Sequence, residues 1–142
     1  MLLQNVPGEI DKLVKKHETN DPFKIAKNLE IQMLFNDFGN EVYAFYNKVC
    51  RIKFIHLSNR LNYEEMLFAC AHELFHAIYH PDENTPKLSK ITLNSTSKIE
   101  AQANYGATLL LIDGSHKSEL YRPTKRDILN YYALPLEMEI YL

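Results

Sequence analysis

The chain has 142 residues, 46% of them apolar and 24% charged, with a net charge of -2; this fits one domain, residues 1–142, with a core of its own and excludes global disorder. Charges of both signs are interspersed, without the basic stripe that nucleic acid demands, and no apolar run nears the roughly 20 residues a bilayer needs. Met1–Ile10 also lacks the basic and apolar regions of a secretory signal, so a cytoplasmic protein with no membrane or direct nucleic-acid partner is expected.

Glu9–His17 and Pro22–Glu30 carry apolar residues at helical spacing, the second with Asp21 as N-cap and Pro22 at the first helical position. Ile31–Phe35, Glu41–Asn47 and Arg51–Leu57 are rich in β-branched and aromatic residues, with turn-like breaks at Asp37–Asn40 and around Asn47-Lys48. They predict a small antiparallel meander of about three strands. Asn62 followed by Glu65 reads as a capping box opening a long helix that Pro81 ends near His80.

Pro81–Ser97 reads as a long surface loop with extended structure at Ile91–Leu93. A second long helix is predicted over Lys98–Ile112, with Gly106 permitting close approach of another helix, and it ends near Asp113-Gly114. The tail predicts a helix at Thr124–Tyr132 and another from Pro135. Cys50 and Cys70, far apart and without CxxC spacing, read as reduced, buried thiols.

His72-Glu73-Leu74-Phe75-His76 is an HExxH motif inside the predicted long helix. Residues four apart on a helix point the same way, so the two imidazoles can grip one ion. Glu73 falls on the neighbouring edge, aimed as a general base for an activated water rather than as a ligand. The competing structural reading is a helix with two surface histidines and a solvated glutamate; apolar Leu67, Ala71, Leu74 and Ile78 on the opposite face favour the zinc site.

A catalytic zinc takes three protein ligands and one open place. Glu100, opening the second long helix among small residues, is the candidate third ligand, and Asn104 one turn on is placed to hydrogen-bond a ligand. Alternatively Glu100 caps its own helix with Ser97. A rival ligand, Asp82, has metzincin spacing from His72 but lacks the glycine turn that spacing requires. His80 extends the histidine face by one turn, as a catalytic group polarising a carbonyl, as an outer-shell partner, or as a dipole-favoured C-terminal histidine. His116, Tyr121 and Tyr105 are further candidates for oxyanion stabilisation, and His17 and His56 read as background.

The pair formed by His72-Glu73-Leu74-Phe75-His76 with His80, then Glu100-Ala101-Gln102-Ala103-Asn104 ahead of Ala107-Thr108-Leu109-Leu110, resembles the ImmA/IrrE family of metallopeptidases. That resemblance implies an α+β, zincin-like, minimal gluzincin domain in which a small antiparallel sheet packs on the HExxH helix and a second ligand-bearing helix, with short flanking helices. It implies Zn2+ on His72, His76 and Glu100, Glu73 as base, and the compact form without the C-terminal sensor domain of some members. It also implies a protein substrate, a helix-turn-helix repressor of a phage or mobile element that is cleaved or inactivated. Phe75 stands where the family has glycine, which predicts a narrowed or reshaped cleft, and Asp113 stands near where many members have proline.

Two other readings compete with peptide hydrolysis. One is a zinc-stabilised module that sequesters a regulator without cutting it. The other is a DNA-contacting helix-turn-helix at Thr124–Leu142, against which stand Glu137 and Glu139, which phosphate repels.

Overall fold

The computed structural model describes residues 3–95 and 97–142. Met1 and Leu2, in the stretch read for a signal, and Thr96, in the predicted loop, lie outside the described residues.

Two capped helices open the chain. In α1 (Val6–His17) the Asn5 side chain accepts from the Gly8 N–H, and in α2 (Pro22–Asn28) Asp21 accepts from Phe23; both carry a proline, Pro7 and Pro22, in the first turn, where its missing N–H and fixed φ are suited. Strands β1 (Gln32–Asn36), β2 (Val42–Val49) and β3 (Ile52–Ser58) follow, and a fourth, β4 (Leu88–Ser89), adds to β2.

The sheet is mixed, not the predicted meander. Its order is β1-β3-β2-β4, with β1 parallel to β3 and the other pairs antiparallel. From β1 the chain crosses two strand spacings, about 10 Å, to start β2, and β3 fills the gap. The crossing loop is held by Arg60, whose guanidinium donates to both Asp37 oxygens at 2.7 and 3.1 Å. Between β2 and β3 the turn lies at Cys50-Arg51, with Val49 paired to Ile52, so Asn47 and Lys48 are strand residues. Cys50 is therefore exposed rather than buried, while Cys70 is buried as expected.

Ala44, Tyr46, Ile55 and Leu57 turn one sheet face inward. Against it packs α3 (Tyr63–Tyr79), opened by the reciprocal Asn62–Glu65 capping box. Every residue from Phe68 to Ala77 is buried, because the sheet covers one side of the helix and α4 (Lys98–Leu111) crosses another. The stretch at Ile91–Leu93 is not extended: Thr92–Asn94 forms a 3-10 turn, held by Ser89 and Thr92 hydrogen-bonding each other, and the extended pair is Leu88–Ser89.

A short α5 (His116–Glu119), unpredicted, precedes α6 (Lys125–Tyr131), which Thr124 and Asp127 cap reciprocally. The final helix is a 3-10 segment, Leu136–Tyr141, that folds back onto α6 and α4 and buries Met138. Arg126 there faces Glu139 across 3.6 Å. Among the described residues no helix is long and apolar enough to cross a membrane.

Candidate active site

The site lies where α4 crosses α3. Gly106 makes that crossing close: a Cβ on it would sit 2.2 Å from the Phe75 ring. Phe75 is thus turned toward α4, where it also meets the Tyr79 and His80 rings at 4.7 and 5.4 Å. The cleft-narrowing expected of its bulk gives way to a simpler arrangement, in which a large residue on one helix is accommodated by the absent side chain on the other.

Helix α4 delivers Glu100 to the histidine pair. Nε2 of His72 and Nε2 of His76 lie 3.0 and 2.7 Å from the same oxygen, Oε2 of Glu100. One ligand atom from each residue lies within 4.8 Å of the other two. Ser97 makes no side-chain cap hydrogen bond, so the capping alternative for Glu100 is not formed. His72, Glu73, His76 and Glu100 are all fully buried.

Four polar atoms in this cluster have no hydrogen-bond partner: both oxygens of Glu73, Oε1 of Glu100 and Nδ1 of His72. Buried polar atoms are rarely left so, and a group of them around two imidazoles and a carboxylate is what a bound cation resolves. The His-His-Glu set therefore fits a metal ion, and N and O donors of this kind suit zinc among others.

The protonation pattern follows from burial and mutual contact. Burial holds the His76 ring down at about 4 despite the Glu100 carboxylate beside it. Burial also opposes charge on His72, but the hydrogen bond to Glu100 and the charges of Glu73 and Glu100 together raise that ring above its ordinary 6.5. For Glu100, burial is outweighed by its close contacts with both histidine rings, which hold it at about 2. Burial lifts Glu73 to about 8, Glu100 adding to the rise and His72 opposing it.

The remaining predicted residues separate cleanly. His80 is fully buried behind His76, with Nδ1 3.1 Å from Nδ1 of His76 and Nε2 3.1 Å from Oε1 of Gln102. Both ring nitrogens of His80 thus face neighbouring side chains. Asn104 is near enough to His72 to favour its protonated ring, and its Nδ2 donates to the Leu93 carbonyl at 3.5 Å.

Asp82 is away from the site: exposed, paired with Lys48 and held below the usual carboxylate range by that contact. His116 is tied to the Tyr132 hydroxyl at 2.7 Å, Tyr121 is 86% exposed, and Tyr105 stacks on Tyr141, so none of the three faces the cluster through a hydrogen bond. His17 contacts Asn28, and His56 bonds Asn47 and stacks on Phe45. Gln102 went unnoticed in sequence because its partners, His80 and Leu3, are 22 and 99 positions away.

A helix bearing HExxH, a second helix supplying a carboxylate to it and a small mixed sheet along the first define a zincin-like domain built for a metal. Comparison with known families is specific: the peptidase M78 model, described as the IrrE N-terminal-like domain, matches residues 26–141. The chain belongs to this family. It is 36% identical over 107 residues to "Uncharacterized immunity region protein 2" of Bacillus phage phi105, covering 75% of this chain and 68% of that one. It is 26% identical over 137 residues to "Metallopeptidase ImmA" of Bacillus subtilis (strain 168), covering 93% and 80%.

Proposed function

We propose that the chain is a zinc-dependent endopeptidase of the cytoplasm that cleaves or otherwise inactivates a helix-turn-helix repressor of a phage or mobile element. The observation that carries the reading is the meeting of His72, His76 and Glu100 within 4.8 Å of one another, beside a Glu73 with two unpartnered oxygens. His72 and His76 through Nε2, and Glu100 through its carboxylate, are the proposed zinc ligands, with His80 and Asn104 behind them. The family and the printed name of the Bacillus subtilis relative support peptidase chemistry; the phage relative's name supports an immunity-region role.

A zinc ion bound there supplies Lewis acidity to the scissile carbonyl and acidifies the attacking water. Glu73 performs the proton transfers. Its carboxyl is lifted to about 8 by burial, and beside a bound dication it would ionise, as a base requires. An Oε of Glu73 takes the proton from water as the C–O bond forms, then delivers it to the amine nitrogen as the C–N bond breaks. Zinc-loaded protein incubated with such a repressor yields fragments, and Glu73→Gln yields none while retaining zinc. Fragments from the Gln variant contradict the assignment.

One observation favours a second reading. The four residues of the cluster are all fully buried, so a peptide bond reaches Glu73 only if the covering elements move. A zinc-stabilised antirepressor that binds without cutting needs no such motion. Its signature is a stable stoichiometric complex in which both chains remain intact after prolonged incubation.

A further inference from the structure

The hydrogen bonds behind His76 form a chain whose proton positions are set from its far end. There the backbone N–H of Leu3 donates to Oε1 of Gln102 at 3.2 Å, and Nε2 of Gln102 donates to the Leu3 carbonyl at 2.7 Å. A backbone N–H can only donate and a carbonyl can only accept, so this pair fixes which way the carboxamide faces. The same Oε1 lies 3.1 Å from Nε2 of His80. An accepting oxygen requires a donor opposite it, so His80 carries its proton on Nε2.

His80 is wholly out of solvent, where a second ring proton is disfavoured, and its Nδ1 therefore holds a lone pair. That lone pair faces Nδ1 of His76 at 3.1 Å, which must then be the N–H. The remaining nitrogen of His76, Nε2, is left bare and aimed at the point where Glu100 Oε2 lies 2.7 Å away. A bare nitrogen and a carboxylate oxygen this close repel unless a positive charge lies between them.

We propose that His80 and Gln102, anchored on the backbone of Leu3, are positioning residues that fix the tautomer of His76 so that Nε2 is presented unprotonated to a divalent cation. The inference rests on the metal-centre reading above. Leu3 lies outside the residues the family model matches, 26–141, so the segment ahead of α1 takes part in preparing the site. Ligating histidines are commonly oriented by a partner on the second nitrogen, and loss of such a partner lowers metal affinity about 10- to 100-fold. Here the partner is itself a histidine, oriented in turn by an amide and the main chain.

The test uses the full chain loaded with Zn2+. In 15N-resolved NMR of the side chains, His80 is expected in the Nε2–H form and His76 with its proton on Nδ1, protected from exchange; His80 protonated on Nδ1 overturns the proposal. Gln102→Leu and His80→Phe are each expected to weaken Zn2+ binding about 10- to 100-fold in competition with a chromophoric chelator. Gln102→Glu keeps an oxygen facing His80 but loses the donor to the Leu3 carbonyl and draws a second proton onto His80, so it is expected to weaken Zn2+ binding as Gln102→Leu does; affinity equal to the parent's overturns the proposal. Should His80→Phe fail to fold, the Gln102 pair and the NMR of the parent protein decide. A parent that binds zinc alongside a Gln102→Leu variant of equal affinity overturns the relay and leaves the metal centre standing. A parent that takes up no zinc overturns both.

Discussion

Substituting Gly106 by alanine tests the helix crossing on which the site depends. The new Cβ would lie 2.2 and 2.3 Å from Cδ2 and Cε2 of Phe75 and 3.1 Å from its Cγ, against a normal carbon–carbon separation of about 3.5–4.0 Å. The ring is rigid, 2% exposed and flanked by Tyr79 and His80, so relief requires shifting α3 against α4. Overpacking of this kind costs about 1–3 kcal/mol, and contact this short belongs at the upper end. Alanine recovers up to about 1 kcal/mol over glycine in a helix interior. The net is a destabilisation of about 2 kcal/mol, or roughly 4–8 °C in melting temperature for a domain near this size. Chemical denaturation of Gly106→Ala in the parent and in a Phe75→Ala background closes the cycle. With the ring removed, the alanine should be neutral or stabilising by up to about 1 kcal/mol. An alanine equally harmful in both backgrounds, or harmless in the parent, refutes the packing argument.

Other outcomes follow from the same geometry. The β2–β3 turn places Cys50 and Arg51 at φ of 50° and 69°, where Asn-Gly is the favoured pair, so Cys50→Asn with Arg51→Gly should raise stability by about 1 kcal/mol in urea titration. Zinc must displace the proton of His72, whose ring is raised above 6.5, whereas His76 at about 4 carries none near neutrality. Zinc affinity should accordingly fall about tenfold per pH unit once pH drops below the His72 value; affinity unchanged between pH 8 and pH 6 contradicts this. Glu73 has a folded value of about 8 against 4.5, so the folded chain holds its proton more firmly than the unfolded one, and its contribution to metal-free stability is lost as pH rises from about 4.5 to 8. Glu73→Gln removes that loss, and the stability gap between variant and parent, read by denaturant titration, should widen across that window.

Several of these features were open to sequence reasoning because their cause is local. Asn62, Glu65 and Pro81 bound α3, and the His72–His76 spacing on a helix dictates convergence wherever the helix lies. Glu100 was reachable because an open zinc site demands a third ligand and α4 offered a carboxylate among small residues. The strand order was not, since alternation of apolar residues in 32–36, 42–49 and 52–58 is the same whether β3 lies outside β2 or between it and β1. The Cys50-Arg51 turn carries neither glycine nor asparagine, so the break reads instead at Asn47-Lys48, the nearest turn-like pair. Phe75 and Gly106 were each visible, but 31 positions apart nothing local joins them. Gln102 was hidden for the same reason: its role exists only once Leu3, His80 and α4 are brought together by the fold.

The most direct measurement is anomalous diffraction at the zinc absorption edge from crystals grown with Zn2+. One strong peak is expected between α3 and α4, about 2.0–2.2 Å from Nε2 of His72, Nε2 of His76 and a carboxylate oxygen of Glu100, with Glu73 alongside but not bound. A map with no peak there, or with Glu100 turned away from the two imidazoles, contradicts it.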